Sequence, residues 1–275
     1  MATIDKRPGS TMATVDRLQL TLNHIQPEPL PPKITSSIVH GPAESPLWEM
    51  TLAELLEYQS QRHMHDECMV VPWTGTRWTY GQLHAESQKV ARGLIAQGVR
   101  LGDRIGIMAG NCEQYISVFF AAASVGAILV VINNNYTLTE LTYALRHTGM
   151  PAIRSLHATD SNFILHIGCK LLVCAPRIGR RSLHDILEYL HSQASRELPQ
   201  LERVVLVRDE YKDFKTYNQL VLDGSSVPLS LVSRRSNLVN HHDVCNLQFT
   251  SGSTGNPKAS MLTHQYVYNP CFDEG

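Results

Sequence analysis

From Leu52 onward the apolar residues recur with a regular period, and that period alternates between two values along the chain. TLAELLEYQSQ, starting at Thr51, places its leucines on one face of a helix. In WTYGQLHAESQKVARGLIAQG, residues 78–98, the stripe is Leu83, Val90, Ala91 and Leu94. Thr79 with Gln82 forms a capping box ahead of it, and Gly98 is the stop. The chain then alternates: RIGIMA (104–109) predicts a strand, EQYISVFFAAASV (113–125) a helix, AILVVI (127–132) a strand, and TLTELTYALRH (137–147) a helix opened by Thr137 and Glu140. KLLVCA (170–175), SLHDILEYLHSQ (182–193) and RVVLVR (203–208) repeat strand, helix, strand. Helices of about ten residues between strands predict an α/β fold of right-handed βαβ units around a mostly parallel sheet with flanking helices.

Two segments interrupt this rhythm. The first 45 residues lack a sustained period, and PEPLPPK, with Pro27, Pro29, Pro31 and Pro32, halts any helix; residues 1–45 read as a leader. After RHTG the chain should turn into KLLVCA within about two to six residues. Instead the 19 residues Met150 to Gly168 intervene without a clear period.

The run YISVFFAAASVGAILVVI, residues 115–132, carries no charge and approaches the length of a membrane span. Gly126 divides it into an alanine-rich, helix-like half and a β-branched half suited to a buried parallel strand, so no membrane span is expected. Lys+Arg total 24 against 25 Asp+Glu, a balance that does not suggest a nucleic-acid surface. The six cysteines show no CxxC or CxxH pairing and read as reduced thiols of an intracellular compartment. His63 with His65, and His241 with His242, lack a ligand motif and read as surface histidines.

The chemistry-bearing stretch is FTSGSTGNPKASMLTH, Phe249 to His264. LQF supplies a buried-strand lead-in through Leu247 and Phe249. Gly252 and Gly255 can take positive φ, which lets consecutive N–H groups point inward at an anion. Thr250, Ser251, Ser253 and Thr254 add hydroxyl donors, Lys258 adds a point charge, and Pro257 stiffens the approach. The Walker A order is not met, because two residues separate the glycines and Ala259 follows the lysine. A flexible linker shares this composition, but does not follow directly on an apolar strand and close on Pro-Lys.

STGNPKASMLTH resembles the phosphate-loop signature of the acyl-adenylate-forming (AMP-binding) enzymes: acyl-CoA synthetases, luciferases and peptide-synthetase adenylation domains. The likeness continues through WTYGQLHAESQKVARGLIAQGVRLGDRIGIMAGNCEQYISVFFAAASVGAILVVINNNYTLTELTYALRHTG and covers about Pro46 to His264. LQFTSGSTGNPKA and CKLLVCAPRIGRRSL look most like the medium-chain acyl-CoA synthetase branch, including fungal ligases that activate mevalonate for siderophore biosynthesis. Ala259 stands where many members have glycine.

The resemblance implies the N-terminal part of the adenylate-forming large domain, incomplete, over residues 46–275. It implies ATP with Mg2+, CoA as co-substrate, and a carboxylic-acid substrate, mevalonate or a medium-chain fatty acid. The carboxylate would attack the α-phosphate, pyrophosphate would leave, and the CoA thiol would attack the acyl-adenylate. The implied nucleotide-binding set is Thr250, Ser251, Gly252, Ser253, Thr254, Gly255, Asn256, Pro257, Lys258 and Ala259, with Ser251 to Gly255 and Lys258 on the departing phosphates. In the family the adenine loop, the ribose-binding aspartate and a C-terminal domain with its catalytic lysine follow this loop. No catalytic residue is therefore assigned, and the chain as written is expected to have little ligase activity. A peptide-synthetase-type adenylation domain and a non-enzymatic nucleotide-binding fragment or gene-model artefact stand as alternatives.

Against relatives of this kind, residues 150–168 read as a retained intron or as an inserted loop, and YNPCFDEG as a mis-spliced or prematurely ended terminus. RLQLTLNHI, residues 17–25, resembles the N-terminal peroxisomal targeting pattern through Arg17, Leu18, His24 and Ile25. That implies a peroxisomal import receptor as partner and a peroxisomal location, with cytoplasm or mitochondrion as alternatives; Asp5 and Asp16 disfavour the mitochondrion.

Overall fold

The computed structural model describes residues 47–148, 168–250 and 257–269. The leader, the targeting pattern at 17–25, the insertion apart from Gly168, Ser251 to Asn256 of the loop, and Cys271 lie outside the described residues. The elements in chain order are α1 (Leu52–Arg62), β1 (Glu67–Val71), β2 (Thr76–Thr79), α2 (Tyr80–Ala96), β3 (Arg104–Met108), α3 (Glu113–Ser124), β4 (Ile128–Val131) and α4 (Leu138–Arg146). There follow β5 (Cys169–Cys174), β6 (Arg177–Ile178), β7 (Arg181–Ser182), α5 (His184–Glu197), β8 (Arg203–Leu206), β9 (Lys215–Thr216), α6 (Tyr217–Asp223), a 3-10 turn (Gly224–Ser226), α7 (Leu229–Ser236), β10 (Val244–Thr250), β11 (Lys258–Thr263) and α8 (His264–Tyr268).

Seven strands form the main sheet in the order β11-β10-β4-β3-β5-β8-β9. Every pairing from β10 across to β9 is parallel, and only β11 runs antiparallel, to β10. A strand buried on both faces must send alternate side chains into two separate cores. In β3, Ile105 and Ile107 join one core, with α2, α3, α6 and α7. Met108 joins the other, under α4 and α5, and the same alternation runs through Leu171 and Val173 against Leu172 and Cys174 in β5. The result is a three-layer α/β arrangement, as the alternating pattern predicts.

Local chemistry sets the helix starts. Thr51, Thr79, Thr137 and Thr216 each accept the N–H three residues on, while Glu54, Gln82, Glu140 and Gln219 reach back to the cap N–H. These reciprocal bonds satisfy donors that the helix itself leaves open. Gly126, at φ +70°, ends α3 and turns the uncharged run from helix into β4. Among the described residues no helix is long and apolar enough to cross a membrane.

Where α2 meets α6 and the 3-10 turn, the backbones touch. A Cβ on Gly93 would lie 2.4 Å from the Leu220 carbonyl oxygen, and one on Gly224 would lie 2.4 Å from the Gly93 nitrogen. Contact this close needs glycine on both sides.

The structure adds elements that the hydrophobic period does not reveal: the hairpins β1–β2 and β6–β7, the short β9, helices α6 and α7, and the edge strand β11. It also corrects the strand leading into the loop. Leu247 is buried, but Phe249 is only half-buried, and Cys245 and Asn246 are buried instead. β10 pairs with β4 only from Asn246 to Gln248, so Phe249 and Thr250 run past the end of β4 and keep β11 as their backbone neighbour.

The described flanks of the intervening segment meet. Thr148 Oγ1 lies 3.7 Å from Cys169 Sγ, and a Cβ on Gly168 would lie 2.9 Å from the Leu145 carbonyl oxygen. These contacts bring the two described ends of the segment to the same part of the fold. A chain lacking residues 150–168, with Gly149 joined to Cys169, is therefore expected to fold with unchanged far-UV circular dichroism and no loss of thermal midpoint. A cooperative transition lost on deletion would show that the segment is required.

His264 opens α8 and is 1% exposed; its Nδ1 accepts the first N–H of α1, from Leu52, at 3.1 Å. Burial, together with neighbouring His241, pushes its pKa down to about 4. The unfolded chain then takes the proton first. Stability is full above the ordinary value of 6.5 and falls as pH drops from there towards 4, by about 1.4 kcal/mol per pH unit. Denaturant midpoints at pH 7.5, 6 and 5 should show this slope, and His264→Asn, which keeps an acceptor without a titrating ring, should flatten it.

Candidate nucleotide-binding site

In a parallel sheet the carboxyl ends of the strands share one edge, and ligands bind in the crevice outside that edge. Among the described residues four connections emerge there, 109–112 after β3, 132–137 after β4, 175–183 after β5 and 207–214 after β8, and β10 ends there at Thr250. The chain leaves β3 for β4 on one side of it and returns to β5 on the other. The order in which the chain lays down its strands therefore reverses beside β3, two strands from β10, while the strands stay parallel.

The described loop candidates, Thr250, Pro257, Lys258 and Ala259, lie on or beside the antiparallel pair β10–β11. Thr250 is the last residue of β10 and Lys258 the first of β11; they are register partners, and the Thr250 hydroxyl donates to the Lys258 carbonyl oxygen at 3.3 Å. Both are exposed, Pro257 is half-buried, and Ala259 is half-buried opposite Phe249. That pairing holds the two ends of residues 251–256 at one register position. It leaves the Lys258 ammonium in solvent, where it is free to meet an anion.

Residues not singled out in the sequence surround this strand pair. The phenol ring of Tyr136, in the connection after β4, meets the Phe249 ring edge-on at 6.3 Å between centroids. Arg181, on β7, donates from Nη1 to the Asn134 carbonyl oxygen and from Nη2 to that of Tyr136 at 2.6 Å. Burial first, and Glu140 second, raise the Tyr136 phenol, so it stays neutral at physiological pH. Glu140 itself is held below the usual carboxylate range by the Thr137 N–H and hydroxyl, with Arg181 adding to the effect. Further along the edge Arg208 pairs with Glu113 at 3.1 Å, which spends that cation within the protein. Arg181 and Tyr136 carry no motif, and only the pairing of strands distant in sequence brings them to Phe249.

The family model described as AMP-binding enzyme matches residues 56–274. The chain belongs to the AMP-binding enzyme family. It is 54% identical to "Acyl-CoA ligase SID4" of Ajellomyces capsulatus over 92% of this chain and 40% of that protein. It is 28% identical to "Medium-chain acyl-CoA ligase ACSF2, mitochondrial" of Danio rerio, again over 92% of this chain and 40% of the relative. The chain thus spans about 40% of the length of the curated relatives it matches. Among solved structures it is similar to an anthranilate CoA ligase, AuaEII, in complex with anthranoyl-AMP. The TM-score there is 0.61 at 22% identity, covering 81% of this chain and 36% of that one, which shows the shared fold. The resemblance of residues 46 to 264 to acyl-CoA ligases is borne out.

Proposed function

We propose that this chain supplies the phosphate-holding part of an ATP-dependent acyl-CoA ligase, with Ser251 to Gly255 and Lys258 on the β- and γ-phosphates. The observation that carries the reading is the position of Thr250 and Lys258, paired and exposed at the carboxyl edge of a parallel sheet. Adenylation asks the protein mainly for positioning and charge stabilisation as a carboxylate displaces pyrophosphate from the α-phosphorus. Lys258 supplies charge at the leaving group, and the small residues of the loop let backbone N–H groups approach it. CoA then accepts the acyl group through its thiol.

Among the described residues no group of three or more His, Cys, Asp or Glu could hold a metal ion. Mg2+ is therefore assigned as a companion of the triphosphate, which suits a cation bound largely through phosphates and water. For the substrate, mevalonate is favoured by the likeness to the fungal ligase SID4 and by the stretch CKLLVCAPRIGRRSL; the ACSF2 likeness supports a medium-chain fatty acid as the alternative. The pattern at residues 17–25 supports a peroxisomal location. The printed name of the ACSF2 relative says mitochondrial of that protein.

Titration calorimetry of the chain with ATP or inorganic pyrophosphate tests the phosphate assignment. Lys258→Ala removes one charge-assisted contact and is expected to weaken binding about tenfold or more. Equal affinity of the variant and the parent chain would overturn the assignment of Lys258.

A further inference from the structure

We propose that Arg181 is a positioning residue for Lys258, acting through Tyr136 and Phe249; this rests on the reading of Lys258 as a phosphate ligand. β10 loses its parallel neighbour at Gln248, yet the residues that carry the site come after that point. Phe249 and Thr250 keep only β11 as a backbone neighbour, and the Phe249 ring packs edge-on against the Tyr136 ring. A ring contact positions a strand only if the ring itself is held. Tyr136 is 8% exposed and lies in the connection after β4, outside any regular element.

Arg181 supplies that hold. Its guanidinium donates to two carbonyl oxygens of this connection, those of Asn134 and Tyr136, in one planar fork. Arg181 itself is set by the β6–β7 hairpin, where it pairs with Ile178 directly after the fully buried β5. The path therefore runs from the central sheet through β7 to Tyr136, then to Phe249, whose register partner is Ala259, the residue beside Lys258. A lysine at position 181 would keep the charge but could not reproduce the two-pronged geometry, and its ammonium is a point charge.

The test is a double-mutant cycle read by calorimetric binding of inorganic pyrophosphate to the 275-residue chain. Thermal unfolding establishes that each variant is folded. Arg181→Ala and Arg181→Lys are both expected to weaken binding about three- to tenfold while Lys258 is present, and to change it little in a Lys258→Ala background, because sites that act through one another are not additive. Phe249→Leu leaves the guanidinium fork untouched and removes only the ring contact. It should show the same loss and the same non-additivity, and it serves if the Arg181 variants do not fold. Retention of parental affinity by Arg181→Lys would mean that the charge acts on the phosphate directly, and would overturn the proposal. Full additivity of Arg181→Ala with Lys258→Ala would do so as well. If Lys258→Ala alone leaves binding unchanged, the phosphate reading itself fails; if it weakens binding while Arg181→Ala and Phe249→Leu do not, only the positioning role fails.

Discussion

Burial of a parallel sheet on both faces is the constraint on which the rest of this structure depends. It forces β3, β4, β5 and β8 to be apolar at nearly every position, and it divides their side chains by alternation between two cores. Helices must then cover both faces, and a helix stands in each main-sheet connection from β3 to β8 and again between β9 and β10. Because the strands run the same way, every connection leaving a carboxyl end arrives at one edge. A binding edge is in this sense a by-product of the packing.

The candidate site sits where that constraint relaxes. β10 is the last parallel strand on its side, β11 reverses direction beside it, and the final residues of β10 extend past β4. Polar and small residues can be carried there at no cost to the core. A strand end with one neighbour is held less firmly; there the Phe249 ring packs on the Tyr136 ring, and Arg181 bonds the backbone that carries Tyr136. The chain covers about 40% of the length of its curated relatives, and the described part consists of the sheet with its helices and the strand pair on either side of residues 251–256.

The legible parts were those whose signal is local. The helix starts at Thr79 with Gln82 and Thr137 with Glu140 were read from four consecutive residues each; the boxes at Thr51 and Thr216 have the same form but were not read. The break at Gly126 was legible for the same reason, since a residue at φ +70° ends the helix wherever it packs. Phe249 was misjudged because burial on an alternating strand assumes a neighbour on both sides, and β10 has lost one at that position. The strand β11 was not read as one, since its alternation is confined to Lys258 to Met261 and none of its residues is fully buried.

The sequence by itself determined the alternation of helices and strands from β3 to β8, the helix starts at Thr79 and Thr137 and the burial of the central strands, because each is written in residues close together along the chain. Tertiary structure alone decided that Thr250 and Lys258 pair across antiparallel strands at the sheet's edge, that His264 caps a helix more than two hundred residues earlier, and that Tyr136 meets both Arg181 and Phe249. Those contacts join segments far apart in the chain. Their partners are chosen by which strands lie side by side, and no period or short motif encodes strand order.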